Sequence, residues 1–178
     1  RAILRRVYAL IKPFVRLCLL NANPQDLPAS TLLLALCLAG YLTITTLIAL
    51  PVYGFGVSLV QGFIEILLLL AYTQLVLQVR ARPERYLQTV TSLAGTGVII
   101  GVLGMPLIYS LYRSAQAGSV SSLTLLSYLL VLGWLLVVYG HIFRQALSIG
   151  RPFGVLIGFG YIVLTSIVIE SLFPSMPY

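Results

Sequence analysis

Glu65 is the residue from which chemistry could be built. It sits in the run VSLVQGFIEILLLLAYTQLVLQV, Val57 to Val79, which has the length and apolarity of a membrane-spanning helix. Gln61 lies one turn before it and Tyr72 two turns after it, so all three share a helix face. A carboxylate near the middle of the hydrocarbon is costly unless it is paired, hydrated or protonated. No Lys or Arg falls inside any of the apolar runs, so Glu65 is expected to be neutral in at least one state. Two readings stay open. Glu65 handles a proton or cation, or contacts a partner's helix; alternatively it is a protonated acid hydrogen-bonded to another span of its own chain.

The other reactive side chains offer less. Glu170 stands near the outer end of the last apolar run, on a stripe with Tyr161, Thr165 and Ser166 that is expected to face inward and to meet water. His141 is the one histidine, at the end of an apolar run beside Arg144. A single histidine does not make a zinc or haem site, and no acid stands near enough in sequence to complete a triad. Cys18 and Cys37 suggest buried thiols rather than a disulfide framework or a metal knuckle. Trp134 and the tyrosines form no binding box by spacing; Tyr53, Tyr86, Tyr109, Tyr112 and Tyr178 fall near expected interfaces, where such rings anchor helices. The GxG at Gly95 lacks the flanking strand of a nucleotide loop. No catalytic group, cofactor site or metal site emerges, and a non-enzymatic protein is expected.

The elements that must position these residues follow from composition. With 60% hydrophobic and 8% charged residues and a mean hydropathy of +1.04, the chain is not an ordinary soluble domain. It reads as an all-α integral membrane protein, a five-helix transmembrane bundle with an N-terminal amphipathic interfacial helix. Residues 1–20 form that helix, 21–30 a turn-rich linker, and 31–178 the five-span domain. In residues 1–20, Ile3, Leu4, Val7, Ile11, Phe14 and Cys18 share one face, while Arg1, Arg5, Lys12 and Arg16 lie opposite. Such a helix, with Arg6 adding to its charge, is expected to lie in the interface plane against anionic lipid headgroups, kinked at Pro13. Asp26, ahead of Pro28, is expected to cap a helix N-terminus.

The spans are expected at about 32–50, 57–79, 87–112, 123–143 and 153–173, with a tight return over 51–56. Five spans with a cytoplasmic N-terminus leave Arg113 as the one basic residue, of eleven, on the far side. The formal charge of +7 is therefore topological, and no nucleic-acid partner is expected. The chain opens at Arg1 with no stretch that reads as a cleavable signal peptide.

Glycine spacing suggests packing faces: Gly97 with Gly101, and Gly150, Gly154 and Gly158 at intervals of four. These faces serve either the bundle itself or another protein. Gly104 and Pro106 predict a bend in the third span.

LGWLLVVYGHIFRQALSIGRP and TVTSLAGTGVIIGVLGMPL are similar to the fourth and third spans of bacterial members of the Yip1 family of five-span membrane proteins. The acidic-aromatic N-terminal motif of eukaryotic members is absent. The resemblance spans roughly residues 30 to 175 and implies an interaction or membrane-organising role; it carries over no active residue. The leading expectation is an accessory or scaffold subunit of a larger bacterial inner-membrane assembly, with a membrane-protein partner or further copies of itself. The alternative is a small oligomeric transporter or channel using Glu65 with Gln61 and Glu170. A membrane enzyme acting on lipid would need a cofactor or partner that the sequence does not show.

Overall fold

The computed structural model describes residues 11–118 and 121–174. Among these, all regular structure is helical: α1 over 11–18, α2 Thr31–Val79, α3 Tyr86–Gln116, α4 Ser122–Leu147 and α5 Arg151–Leu172. The helices α2 to α5 are each long and apolar enough to cross a membrane.

The 49 residues of α2 would extend about 74 Å if straight, more than twice the thickness of a hydrocarbon core. They do not run straight. Gly54 adopts φ 72°, ψ 172°, a backbone conformation closed to ordinary L residues, and breaks the helix there. A Cβ added at Gly62 would come within 2.9 Å of both Leu42 Cδ1 and Thr45 Oγ1, so the two arms lie side by side. The return expected over 51–56 is thus concentrated at one glycine. Pro51 lacks the N–H that would bond the Leu47 carbonyl, and the Tyr109 hydroxyl of α3 donates to that carbonyl at 2.8 Å instead.

The core is the first half of α3. Residues 89–97 are buried on every side, which the small residues of TVTSLAGTG permit. Their hydroxyls are satisfied within the helix: Thr89, Thr91, Ser92 and Thr96 each donate to the carbonyl four residues back at 2.7 Å. The helix continues unbroken through Pro106 to Gln116.

The glycines bring the other helices onto this core. A Cβ at Gly97 would lie 2.8 Å from the Tyr41 ring and 2.9 Å from the Tyr139 hydroxyl; at Gly101, 3.0 Å from Ile44. Between α4 and α5, a Cβ at Gly154 would meet the Gly140 carbonyl at 2.5 Å, and one at Gly158 the Gly140 nitrogen at 3.0 Å. Gly97, Gly101, Gly154 and Gly158 are therefore packing glycines within the chain. Gly150 is not: it precedes α5 as an exposed N-cap with only ordinary contacts to Pro152 and Phe153.

The described part of the N-terminal helix departs from an interface-plane arrangement. Ala22 O accepts from His141, Cys18 O accepts from Trp134 two turns earlier in α4, and the Phe14 ring covers Gly95. So α1 lies lengthwise along α3 and α4, with Phe14, Leu17 and Cys18 buried and Lys12 and Arg16 exposed. The apolar face of the amphipathic pattern was expected to enter lipid and instead packs largely on protein. Arg1, Arg5, Arg6, Ile3, Leu4, Val7 and Tyr178 lie outside the described residues. Asp26 does not cap α2; its carboxylate accepts from the Asn23 N–H in a short 3-10 turn, Pro24–Asp26, and Ser30 caps α2.

One end of the bundle gathers the cations. Arg85 donates to the carbonyls of Gln145 and Ala146 and to the Ser148 hydroxyl, holding the C-terminal end of α4 where its dipole favours positive charge. Gln25 donates to the Gln145 carbonyl, and Gln88 to the carbonyls of Gln25 and Leu27. At the opposite end, the Tyr53 hydroxyl donates to the Phe173 carbonyl.

Candidate functional site

Glu65 stands on the second arm of α2, eleven residues after Gly54 and fourteen before Val79. At 1.5 Å per residue this is about 16 Å from one end and about 21 Å from the other, near mid-depth. Its Oε1 accepts from Gln61 Nε2 at 3.1 Å, the one-turn pairing that the spacing implies.

The carboxyl group lines a cavity of about 330 Å³ together with Tyr41, Tyr139, Tyr161, Thr165, Ser166 and Glu170, backed by Leu135, Ile162 and Ile169. Four helical segments meet there: both arms of α2, with α4 and α5. The residues from α5 recur at helical spacing: Ile162, Thr165, Ser166, Ile169 and Glu170 follow one stripe from the interior to the exposed end of the helix, with Tyr161 at its inner edge. No Lys, Arg or His lines this cavity. Two buried hydroxyls on its wall, Tyr161 OH and Thr165 Oγ1, make no well-aligned hydrogen bond, although Tyr161 lies within side-chain range of both Tyr41 and Thr165; Gln61 Oε1, next to Glu65, is likewise buried without a partner among the described residues. Buried polar atoms are normally fully satisfied, so poorly satisfied hydroxyls beside a carboxyl group mark space for something polar.

Beneath the cavity an aromatic layer closes it. Tyr161 packs against Tyr139 at 5.8 Å and Tyr72 at 5.5 Å, and Tyr72 meets Phe143 edge-on at 5.9 Å. The Tyr72 hydroxyl donates to the Ile157 carbonyl at 2.8 Å, and that of Tyr139 to the Leu93 carbonyl at 3.3 Å.

The structure therefore joins Gln61, Glu65 and Glu170 with the Tyr161–Thr165–Ser166 stripe in one site. Tyr72 stays outside the cavity and supports it through Tyr161. Tyr41 and Tyr139 are the polar lining residues that sequence spacing did not single out; each lies on a different helix from Glu65 or across a turn from it. The tyrosines do assemble a cluster that their spacing did not reveal. His141 makes the polar contact to Ala22 O and stands apart from this site. Among the described residues, no group of three or more His, Cys, Asp or Glu side chains is placed to hold a metal ion.

Neither the family models, nor the curated proteins, nor the solved structures include a match to this chain.

Proposed function

We propose that this chain is a non-enzymatic, multi-pass protein of the bacterial inner membrane that binds a proton or a small cation at Glu65, as a transporter or channel subunit. The observation that carries this reading is the cavity: an intramembrane carboxyl group with no Lys, Arg or His beside it, flanked by the buried, poorly satisfied hydroxyls of Tyr161 and Thr165. A carboxyl group in that setting is either protonated or awaits a cation. Tyr161 OH, Thr165 Oγ1 and Gln61 Oε1 supply the oxygen ligands that a small cation or a hydrated proton needs.

The break at Gly54, with the two arms of α2 side by side, supports a reading of α2 as two antiparallel membrane passes and so of five crossings. With five crossings, the arginine-rich end faces the cytoplasm and the C-terminus faces the periplasm. The mouth of the Glu65 cavity, at Glu170, then faces outward. Helices α4 and α5 bury 17% of their most apolar windows, which leaves broad faces for lipid or for further copies of the chain. A scaffold role drew its support from short loops, the lack of catalytic groups and glycine faces, and four of those five glycines are occupied within the chain. The layout stays compatible with the Yip1-like resemblance, at the level of topology.

The test is the Glu65→Gln variant in proteoliposomes, with proton, Na⁺ and K⁺ flux measured separately. At least one flux present in the native protein is expected to fall tenfold or more. Equal fluxes for all three in native and variant protein would overturn the reading.

A further inference from the structure

A second cavity, of about 350 Å³, lies at the arginine-rich end between α4 and α5, lined by His141, Arg144 and Arg151 with Val137, Val155 and Leu20. Its construction follows from helix geometry. Val137, His141 and Arg144 occupy one face of α4, and Arg151 and Val155 one face of α5. The close approach at Gly140 and Gly154 turns those faces toward each other; a Cβ at Gly154 would lie 2.6 Å from the Arg144 Cβ, so the arginine stem crosses directly over the glycine. His141 is held by the Ala22 carbonyl, which keeps the segment after α1 as one wall.

The charge in this cavity is uncompensated. Neither Arg144 nor Arg151 forms an ion pair or a side-chain hydrogen bond with a described residue. The two carboxylates at this end are engaged elsewhere, Asp26 with the Asn23 N–H and Glu84 with Arg85 at 3.9 Å. Below the cations the wall becomes apolar and exposed: Val137 is 45% and Val155 37% accessible. A ligand that suits this surface has an anionic phosphate at its head and hydrocarbon below it. Guanidinium groups bind phosphate in a fork geometry, and basic pockets between spanning helices are a recurring way of holding anionic headgroups.

We infer that this cavity binds the phosphate headgroup of an anionic glycerophospholipid, with one acyl chain laid along Val137 and Val155. Inorganic phosphate shares the headgroup chemistry, but the exposed valines give it nothing to contact. This site shares no lining residue with the Glu65 cavity and includes neither Lys12 nor Arg16.

Trp134 is the sole tryptophan of the chain and stands one turn from Val137 on α4, so it reports on this groove. The full-length protein is placed in phosphatidylcholine vesicles containing a small fraction of phosphatidylglycerol or phosphatidylcholine with brominated acyl chains, and Trp134 fluorescence is recorded. Brominated phosphatidylglycerol is expected to quench at roughly fivefold to twenty-fivefold lower lipid fraction than brominated phosphatidylcholine, about fivefold per arginine. Arg151→Gln alone is expected to remove part of that preference and Arg144→Gln with Arg151→Gln all of it, while Arg151→Lys retains most. Equal quenching by the two lipids in the native protein would overturn the assignment, as would a preference unchanged in Arg151→Gln. Thermal stabilisation of the detergent-solubilised protein by inorganic phosphate but not by phosphatidylglycerol would overturn it in favour of a soluble anion.

Discussion

Thr165 separates a structural from a functional meaning of the Glu65 cavity. Its hydroxyl is buried beside the cavity within range of Tyr161 but without a well-aligned hydrogen bond, and a buried hydroxyl in that state costs free energy. Thr165→Val keeps the shape and removes the oxygen. If the cavity is only an imperfection of packing, the change is purely favourable. If Thr165 Oγ1 is a ligand, the empty protein is expected to gain about 1 kcal/mol while cation affinity falls about threefold to tenfold. Thermal unfolding in detergent, with and without Na⁺ or K⁺, reads both effects in one series. The pairing of Glu65 with Gln61 was legible in the sequence because both sit on one helix four residues apart. The pairs Tyr161 with Thr165 and Ser166 with Glu170 were legible for the same reason. Tyr41 and Tyr139 were not, since their place in the site depends on the rotation and depth of separate helices, which only packing sets.

At the scale of the element, the clearest device is the compensation of Pro51 by Tyr109. A proline in a spanning helix leaves a carbonyl without its donor, and no water is at hand to replace it. Here the replacement comes from the neighbouring helix. Tyr109→Phe is therefore expected to destabilise the protein by about 1 kcal/mol. In a Pro51→Ala background the loss is expected to vanish, because the restored N–H bonds the Leu47 carbonyl. A double-mutant cycle on unfolding free energy checks this, and additive losses would contradict it.

The glycines of α5 divide in the same physical way. Gly154→Leu drives a side chain into the Gly140 carbonyl and the Arg144 stem and is expected to cost about 1–3 kcal/mol or more. Gly150→Leu, at an exposed N-cap, is expected to change stability by about 0.5 kcal/mol or less. The same thermal-unfolding assay ranks them, and a reversed order would contradict the packing described. Spacing of four suggested both positions equally; it does not tell which glycine a neighbouring helix reaches. The N-terminal segment teaches a related lesson. Its amphipathic pattern correctly separates Phe14 and Cys18 from Lys12 and Arg16. Lipid and the flank of a membrane bundle are both apolar, however, so the pattern alone could not choose between them.

For the molecule as a whole, the organising feature is a polarity between two ends. One end carries Arg80, Arg82, Arg85, Arg144 and Arg151 and ties its helix termini with arginine and glutamine hydrogen bonds. The other carries the Gly54 return, Glu170 and the mouth of the Glu65 cavity. The small, hydroxyl-rich first half of α3 forms the core between them and lets the remaining helices close in. This asymmetry was visible in the distribution of arginines along the sequence; the single-residue sharpness of the turn at Gly54 was not, because Pro51, Gly54 and Gly56 all mark a return equally well.

Accessibility at Ser166 tests the central claim most directly, since topology, cavity and charge all bear on it. In a Cys18→Ser, Cys37→Ser background, Ser166→Cys is exposed to small membrane-impermeant thiol reagents applied from each side of the membrane. Modification is expected from the periplasmic side, with a cationic reagent reacting about tenfold faster than an anionic one of the same size. That ratio is expected to collapse toward one when Glu65→Gln is added. Modification from the cytoplasmic side alone, or a ratio indifferent to Glu65, would contradict an outward-facing cation site.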